Sequence, residues 1–301
     1  MRPITRRRRI PITAMPRRTR FFTLALRGIA LLIVAYAVVI FLAWRFQDRV
    51  AFPGRGGRLP FPSEFGITDG QVVSVETSDH VTLRGWYLPP SPAPAAGERA
   101  PGLIWFHGNV ETVRSIADVL RDFRPPGIAV LALDYRGYSE SGGTPTEVGV
   151  HRDAEAAWAF LAERPEIDSL RIAVYGRSIG SAVGLYLANE RPVRAVVLDS
   201  PFTSAQDMAR AHYAPVPSDL VELSLDNLTR AARLTVPLLV FHGTDDIVAP
   251  FAMGEAVSRA GRAEELVVLQ GAGHTTMYET GGTLYRDKLH DFLRRHLGAI
   301  N

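Results

Sequence analysis

"VYGRSIGSA", residues 174–182, runs from an apolar stretch with strand character into Gly-Arg-Ser-Ile-Gly. The pentad fits G-x-S-x-G. Three fixed letters in five recur by chance, so its meaning depends on its surroundings. Upstream, "RIAVYG" (171–176) is a short apolar run suited to a strand buried on both faces, and downstream 180–190 carries helical spacing. A strand entering a helix through this pentad needs a tight turn. Gly176 and Gly180 permit it, because a side chain at either place would collide with the neighbouring strand or helix, and Ser178 then stands clear of the sheet.

The same grammar extends in both directions. "QVVSVE" (71–76) and "VTLRGWYL" (81–88) alternate and predict an antiparallel pair. Apolar runs follow at 102–106, 128–134, 171–176, 194–199, 237–243 and 266–271. Helical patterns lie at about 111–123, 147–163, 180–190, 204–213, 251–260 and 283–297. This alternation predicts an α/β fold with one open, eight-stranded, mostly parallel sheet and helices on both faces. A closed barrel of eight βα units fits less well, since the first two strands have no helix between them.

In open α/β sheets, functional groups gather at the carboxyl ends of the strands. Those ends carry His107-Gly108-Asn109, Arg177-Ser178-Ile179-Gly180, Asp199, His242-Gly243-Thr244-Asp245-Asp246 and Gly271-Ala272-Gly273-His274. A serine hydroxyl needs a base to become a nucleophile, and His274 is the candidate. A carboxylate would orient that imidazole; Asp245, Asp246 and Asp199 all end strands. The amide of Ile179, at the start of the helix after Ser178, and the amide of Asn109, in the first crossover loop, are candidate oxyanion donors. Asp134-Tyr135-Arg136-Gly137-Tyr138 is expected to hold a loop near the site. Arg177 could steer an anionic substrate or cap a neighbouring loop.

Together, "FHGN" (106–109), "LDYRGYSESGGTPTE" (133–147), "YGRSIGSAV" (175–183), "DSPFTS" (199–204), "VFHGTDDIVAP" (240–250) and "GAGH" (271–274) resemble the membrane-anchored, lidless serine hydrolases of the α/β-hydrolase superfamily, over about residues 70–298. The resemblance implies an α/β-hydrolase fold with Ser178 as nucleophile, Asp246 as acid and His274 as base. The family loop reads His-Gly-x-x-Asp, which selects Asp246 over Asp245. It implies esterase, lipase or thioesterase chemistry, with lipids or acylated proteins among the substrates. A serine peptidase of the same fold is the alternative within enzymes, and a catalytically silent binding module the alternative outside them.

Composition narrows the field. The chain has 301 residues and no cysteine, which excludes disulfides, thiolate metal sites and a cysteine nucleophile. No Gly-Lys pair exists for a P-loop, and Lys288 is the sole lysine. The proposed chemistry calls for no metal and no organic cofactor. Residues 1–20 carry eight arginines and no acid, whereas the chain beyond residue 45 is net acidic. A basic tail on an acidic body does not suggest a nucleic-acid partner. Residues 28–44 hold no charge, and the apolar stretch 21–44 makes a helix about 36 Å long, enough for a ~30 Å hydrocarbon core. A cleaved signal peptide would have a shorter apolar region ending at a small-x-small site. The expected organisation is a basic cytoplasmic tail (1–20), a transmembrane anchor (21–44), a Gly/Pro-rich lead-in (45–70) and a catalytic domain (71–301) on the exported side, by the positive-inside rule. The stretch between Asp199 and Pro237 is too short for a separate cap domain, so the site should be open.

Overall fold

The computed structural model describes residues 17–213 and 217–298. It divides into two compact units, residues 1–45 and 46–301. The expected basic tail lies outside the described residues as far as position 16.

In the first unit, α1 (Arg17–Arg45) is a single helix. Its part Leu24–Arg45 has a mean hydropathy of 2.5 and buries none of it. By length and composition it could cross a membrane.

The second unit is built on one eight-stranded sheet: β1 (Gln71–Glu76), β2 (Thr82–Leu88), β3 (Ala100–Phe106), β4 (Ala129–Leu133), β5 (Ile167–Arg177), β6 (Ala195–Asp199), β7 (Leu238–Gly243) and β8 (Glu265–Leu269). Their spatial order is β1-β2-β4-β3-β5-β6-β7-β8. β2 pairs antiparallel with β1 and β4, and the strands from β3 to β8 run parallel. Period-two alternation divides the strand residues between two cores. Ile104, Leu131, Val174 and Val196 face one, with Val150, Val183 and Val257. Leu103, Val130, Ala173 and Val197 face the other, with Leu120, Leu289 and Leu293. Helices α4 (Glu147–Ala162), α5 (Ile179–Glu190), α7 (Asn227–Ala232) and α8 (Phe251–Ala260) cover the first face, and α3 (Ala117–Phe123) and α9 (Met277–Leu297) the second. Because both faces are covered, the parallel strands carry continuous apolar runs, such as Ile172–Tyr175 and Ala195–Leu198, rather than an alternation.

Two helix starts and two short helices differ from the sequence expectation, each for a local reason. The helix expected from 111 starts at Ala117. Thr112 and Ser115 hydrogen-bond each other's backbone N–H, and Asp134 takes the N–H of Val113, so side chains claim the groups a helix would use. The last helix begins at Met277 rather than 283, but Gly282 is non-helical (φ 46°) and breaks it just before the expected start. Two short helices, α2 (Gln47–Ala51) and α7, were not expected, being too short for a helical period to register.

The lead-in holds α2 and a 3-10 turn (Pro62–Phe65) and packs on the sheet unit. Phe52 is fully buried, Ser139 N–H donates to the Arg55 carbonyl (2.5 Å), and the Trp86 indole donates to the Pro60 carbonyl (2.9 Å). Between β6 and β7 the described residues form α6 (Ala205–His212), a 3-10 turn (Ser218–Leu220) and α7.

Candidate active site

The chain runs from β3 to β4 on one side and then crosses back to β5 on the other, so β3 and β5 flank the point where strand order reverses. Phe106 pairs with Gly176 across this junction. The loop after β3 and the turn after β5 therefore emerge side by side, where α/β sheets place their ligand crevice.

Ser178 occupies the turn between β5 and α5 with φ 52° and ψ −119°, a conformation costly for a residue with a side chain. Surrounding contacts enforce it. Its N–H donates to the Asp199 carbonyl at 2.8 Å. The Ser181 hydroxyl donates to its carbonyl at 2.5 Å, and Asn227 Nδ2 donates to that hydroxyl at 2.8 Å. A Cβ at Gly176 would lie 2.3 Å from the Gly180 carbonyl oxygen, and one at Gly180 would lie 2.3 Å from that of Phe106. Only glycine fits at either place. Asn227, the first letter of the sequon Asn227-Leu228-Thr229, is fully buried and uses its amide on Ser181 and the Phe202 carbonyl, so it is structural.

His274 Nε2 lies 2.9 Å from Ser178 Oγ, and its Nδ1 lies 2.7 Å from Asp246 Oδ2. The other carboxylate oxygen of Asp246 accepts the N–H groups of Val248 (2.9 Å) and Ala249 (2.8 Å). Burial pushes the Asp246 carboxyl up, but the hydrogen bond and charge of His274 and the Ala249 N–H outweigh it, so Asp246 titrates below the ordinary aspartate range. His242 packs behind Asp246. Its Nε2–H donates to the Ala249 carbonyl (2.8 Å), and burial keeps it below the usual histidine range.

The other two carboxylates are engaged elsewhere. Asp245 is exposed and accepts only from Thr244 (3.0 Å) among the described residues. Asp199 is fully buried, accepting the hydroxyls of Tyr175 and Tyr285 at 2.9 Å on Oδ2 and that of Ser200 at 2.9 Å on Oδ1. Tyr278 donates to Tyr175 (2.8 Å). Burial, reinforced by the Asp199 charge, pushes these three phenols well above the usual tyrosine value, so they keep the protons they donate.

The loop after β3 is held just as firmly. The Gly108 carbonyl accepts from His107 Nδ1 (2.8 Å) and from the N–H of Glu111 (3.2 Å). In a trans peptide C=O and N–H point in opposite directions, so fixing that carbonyl also fixes the N–H of Asn109. The Tyr138 hydroxyl donates to the Asn109 carbonyl (2.7 Å) and that of Tyr135 to the His107 carbonyl (2.9 Å). Among the described residues neither Asn109 N–H nor Ile179 N–H donates to another protein group. Both amides are free to meet a negative charge. Among the described residues no group of three or more histidine and carboxylate side chains is placed to hold a metal ion.

Arg177 is 5% exposed, which removes it as a surface for an anionic substrate. It donates to the His274 carbonyl and pairs with Glu111. Tyr138 belongs to the stretch 134–138 expected to hold a loop near the site, but Glu111, whose carboxylate also accepts Gly108 N–H (2.6 Å), was not singled out from the sequence, and neither were the three tyrosines around Asp199. A lone Glu after a glycine-containing loop carries no motif, and its partner is 66 positions away.

A family model described as serine aminopeptidase, S33, matches residues 100–217. The Mycobacterium tuberculosis protein Rv2307c is 34% identical over 275 residues, covering 89% of this chain and 95% of that protein. The Schizosaccharomyces pombe protein bem46 is 30% identical over 245 residues, covering 76% and 79%. The solved structure of the Pyrococcus furiosus esterase Pf2001 matches with a TM-score of 0.64 at 20% identity, over 81% of this chain and 98% of that one. Sequence similarity along nearly the whole of Rv2307c shows that this chain and that protein belong to one family, and the sheet order with the likeness to Pf2001 shows that its fold is that of the α/β-hydrolases.

Proposed function

We propose that this hydrolase cleaves carboxylic esters or thioesters through Ser178, His274 and Asp246. The observation that carries this reading is the unbroken relay from Ser178 Oγ to His274 (2.9 Å) to Asp246 (2.7 Å). His274 Nε2 takes the proton as Ser178 Oγ attacks the acyl carbon. Asp246 holds Nδ1–H and stabilises the imidazolium. The carbonyl oxygen becomes an oxyanion facing the amides of Asn109 and Ile179. Collapse expels the alcohol or thiol with the proton from His274. Water, deprotonated by the same imidazole, then cleaves the acyl-enzyme and restores Ser178. Residues of this chain supply every proton transfer.

Apolar side chains border the relay, which supports an acyl or lipid substrate. Val110 follows Asn109, and Ile247 (84% exposed) and Val248 follow Asp246. His212 Nε2–H donates to the Val248 carbonyl (2.7 Å), and Tyr213, which follows it, is also exposed. An open site without a cap domain would admit bulky or membrane-held acyl groups. The catalytic domain then corresponds to 71–301, 45–70 to its lead-in, and 21–44 to a single-pass anchor with the basic tail cytoplasmic and the catalytic domain exported. The length and hydropathy of Leu24–Arg45 support that anchor.

A serine peptidase is the second reading, favoured by the name of the matching family model. One experiment addresses both. A fluorophosphonate probe should label the wild-type protein and not Ser178→Ala, and p-nitrophenyl acyl esters should turn over far faster than aminoacyl amides. Faster amide cleavage selects the peptidase. No labelling of the folded wild type removes the enzyme and leaves a binding module.

A further inference from the structure

We propose that Arg177 and Glu111 are a positioning pair that ties the general-base loop to the oxyanion loop. The proposal rests on the Ser178–His274–Asp246 reading above, but neither residue touches substrate in it. Arg177 leaves β5 immediately before Ser178 and turns inward. Its guanidinium donates to the His274 carbonyl and pairs with Glu111 Oε1, while Nε lies 3.7 Å from Asp199 Oδ2. The ring of Tyr278 lies 5.4 Å from the guanidinium carbon and closes that side.

Glu111 carries the constraint onward. Its Oε2 accepts Gly108 N–H (2.6 Å) and its own N–H donates to Gly108 C=O (3.2 Å), so one residue holds both ends of Gly108. The peptide that follows Gly108 bears the Asn109 N–H, whose direction is set by that carbonyl. A continuous path therefore runs from the backbone of His274 through Arg177 and Glu111 to the peptide of Asn109. The Arg177 side chain is 6% exposed and that of Glu111 17%, so water screens the pair less than it would a surface pair. These contacts join two loops 163 positions apart in sequence.

The chemistry explains why arginine stands at this place in the pentad. The base ring and the oxyanion donors belong to different loops, yet both must be in register with Ser178 Oγ at the moment of attack. A planar guanidinium can bond a carbonyl and a carboxylate in fixed relative directions. An ammonium holds the charge but not that geometry. Misplacing a reacting group by about 1 Å, or losing one oxyanion donor, costs on the order of a hundredfold in rate.

The test uses the full chain in detergent, with wild type, Ser178→Ala, Arg177→Met, Arg177→Lys, Glu111→Gln and the Arg177→Met/Glu111→Gln double variant. Turnover of a p-nitrophenyl ester is measured per fluorophosphonate-reactive site, well below each variant's melting temperature. Arg177→Met should lower kcat about a hundredfold with KM within about threefold. Arg177→Lys should recover part of the loss, and Glu111→Gln should lose less than Arg177→Met. The double variant should be scarcely worse than Arg177→Met, because both act on one path. The pair is refuted if kcat per reactive site in Arg177→Met, or in Arg177→Lys and Glu111→Gln where the methionine variant does not fold, stays within twofold of wild type. Multiplicative losses in the double variant refute it as well. Labelling of wild type but not Ser178→Ala confines either result to the pair, whereas an unlabelled folded wild type overturns the serine-hydrolase reading and the pair with it.

Discussion

The ends of β6 and β7 lie next to each other in the sheet, and each delivers a buried aspartate. Asp199 ends β6 and is enclosed by the hydroxyls of Tyr175, Tyr285 and Ser200. Asp246 lies just beyond β7, with two backbone N–H groups on one oxygen and the His274 ring on the other. Residue type, burial and place in the fold are nearly the same. What differs is the partner. Hydroxyls that hold their own protons make Asp199 the centre of a closed network. A histidine that bridges onward to Ser178 makes Asp246 one end of an open relay. A buried carboxylate is thus assigned by what it faces.

The largest test of this contrast is to neutralise each acid in turn. Asp246→Asn should lower kcat by about 10⁴-fold, because the imidazole loses the partner that fixes its tautomer. Its denaturation midpoint should stay close to wild type, since an amide oxygen can still accept from Val248 and Ala249. Asp199→Asn should do the reverse. It should lose about 2–3 kcal/mol of stability in urea unfolding, because donors and the Arg177 charge are left imperfectly matched, while kcat per reactive site falls by less than about tenfold. Equal kinetic losses from the two substitutions would erase the distinction.

His151 sharpens the contrast as a titratable group without a bonding partner. It stacks on Tyr186 at 3.8 Å, and its Nε2 is buried without a hydrogen bond among the described residues. Burial, aided by the charge of Arg230, lowers its pKa from 6.5 to about 3. As pH falls below about 6.5 the unfolded chain takes up a proton that the folded protein refuses, so stability is lost progressively down to about pH 3. Between pH 7 and 5 this amounts to at most about 2 kcal/mol. His151→Phe, which keeps the stacking, should flatten the dependence of urea midpoint on pH over that range. An unchanged slope would mean that the buried ring is not its source.

The smallest expected effect belongs to Tyr285→Phe, which removes one of the donors to Asp199. It should cost about 1 kcal/mol by chemical denaturation and leave kcat per reactive site unaltered. A kinetic effect as large as that of Asp246→Asn would show that the tyrosine network belongs to the reaction.

The strands were legible because their signal is local. Runs such as "RAVVLD" are apolar enough to lie under helices on both faces, and β6 formed within the expected 194–199. Helix starts were less legible where side chains compete with the backbone, as Thr112 and Ser115 do ahead of α3. The six residues of α7 are capped by Asp226, but they are too few to repeat a period. Within the site, Ser178, Asp246, His274, Asn109 and Ile179 each sit in a short pattern at a strand end, and that local pattern marks them as candidates. Glu111 and Tyr285 sit in no pattern, and Asn227 sits in one that does not describe its role; the importance of all three lies wholly in what they touch.

By itself, the amino-acid sequence determined the alternation of strands and helices, the apolar span at 21–44 and the glycines that make the turn at Ser178 possible. All of these follow from periodicity and steric size along neighbouring residues. Tertiary structure decided which aspartate meets His274, that Arg177 turns inward to a carbonyl and a carboxylate, and that Asn227 is a buried tie. Hydrogen bonds are short and directional, and their partners here stand 25 to 97 positions apart in the chain. Only the folded sheet brings those partners within reach of one another.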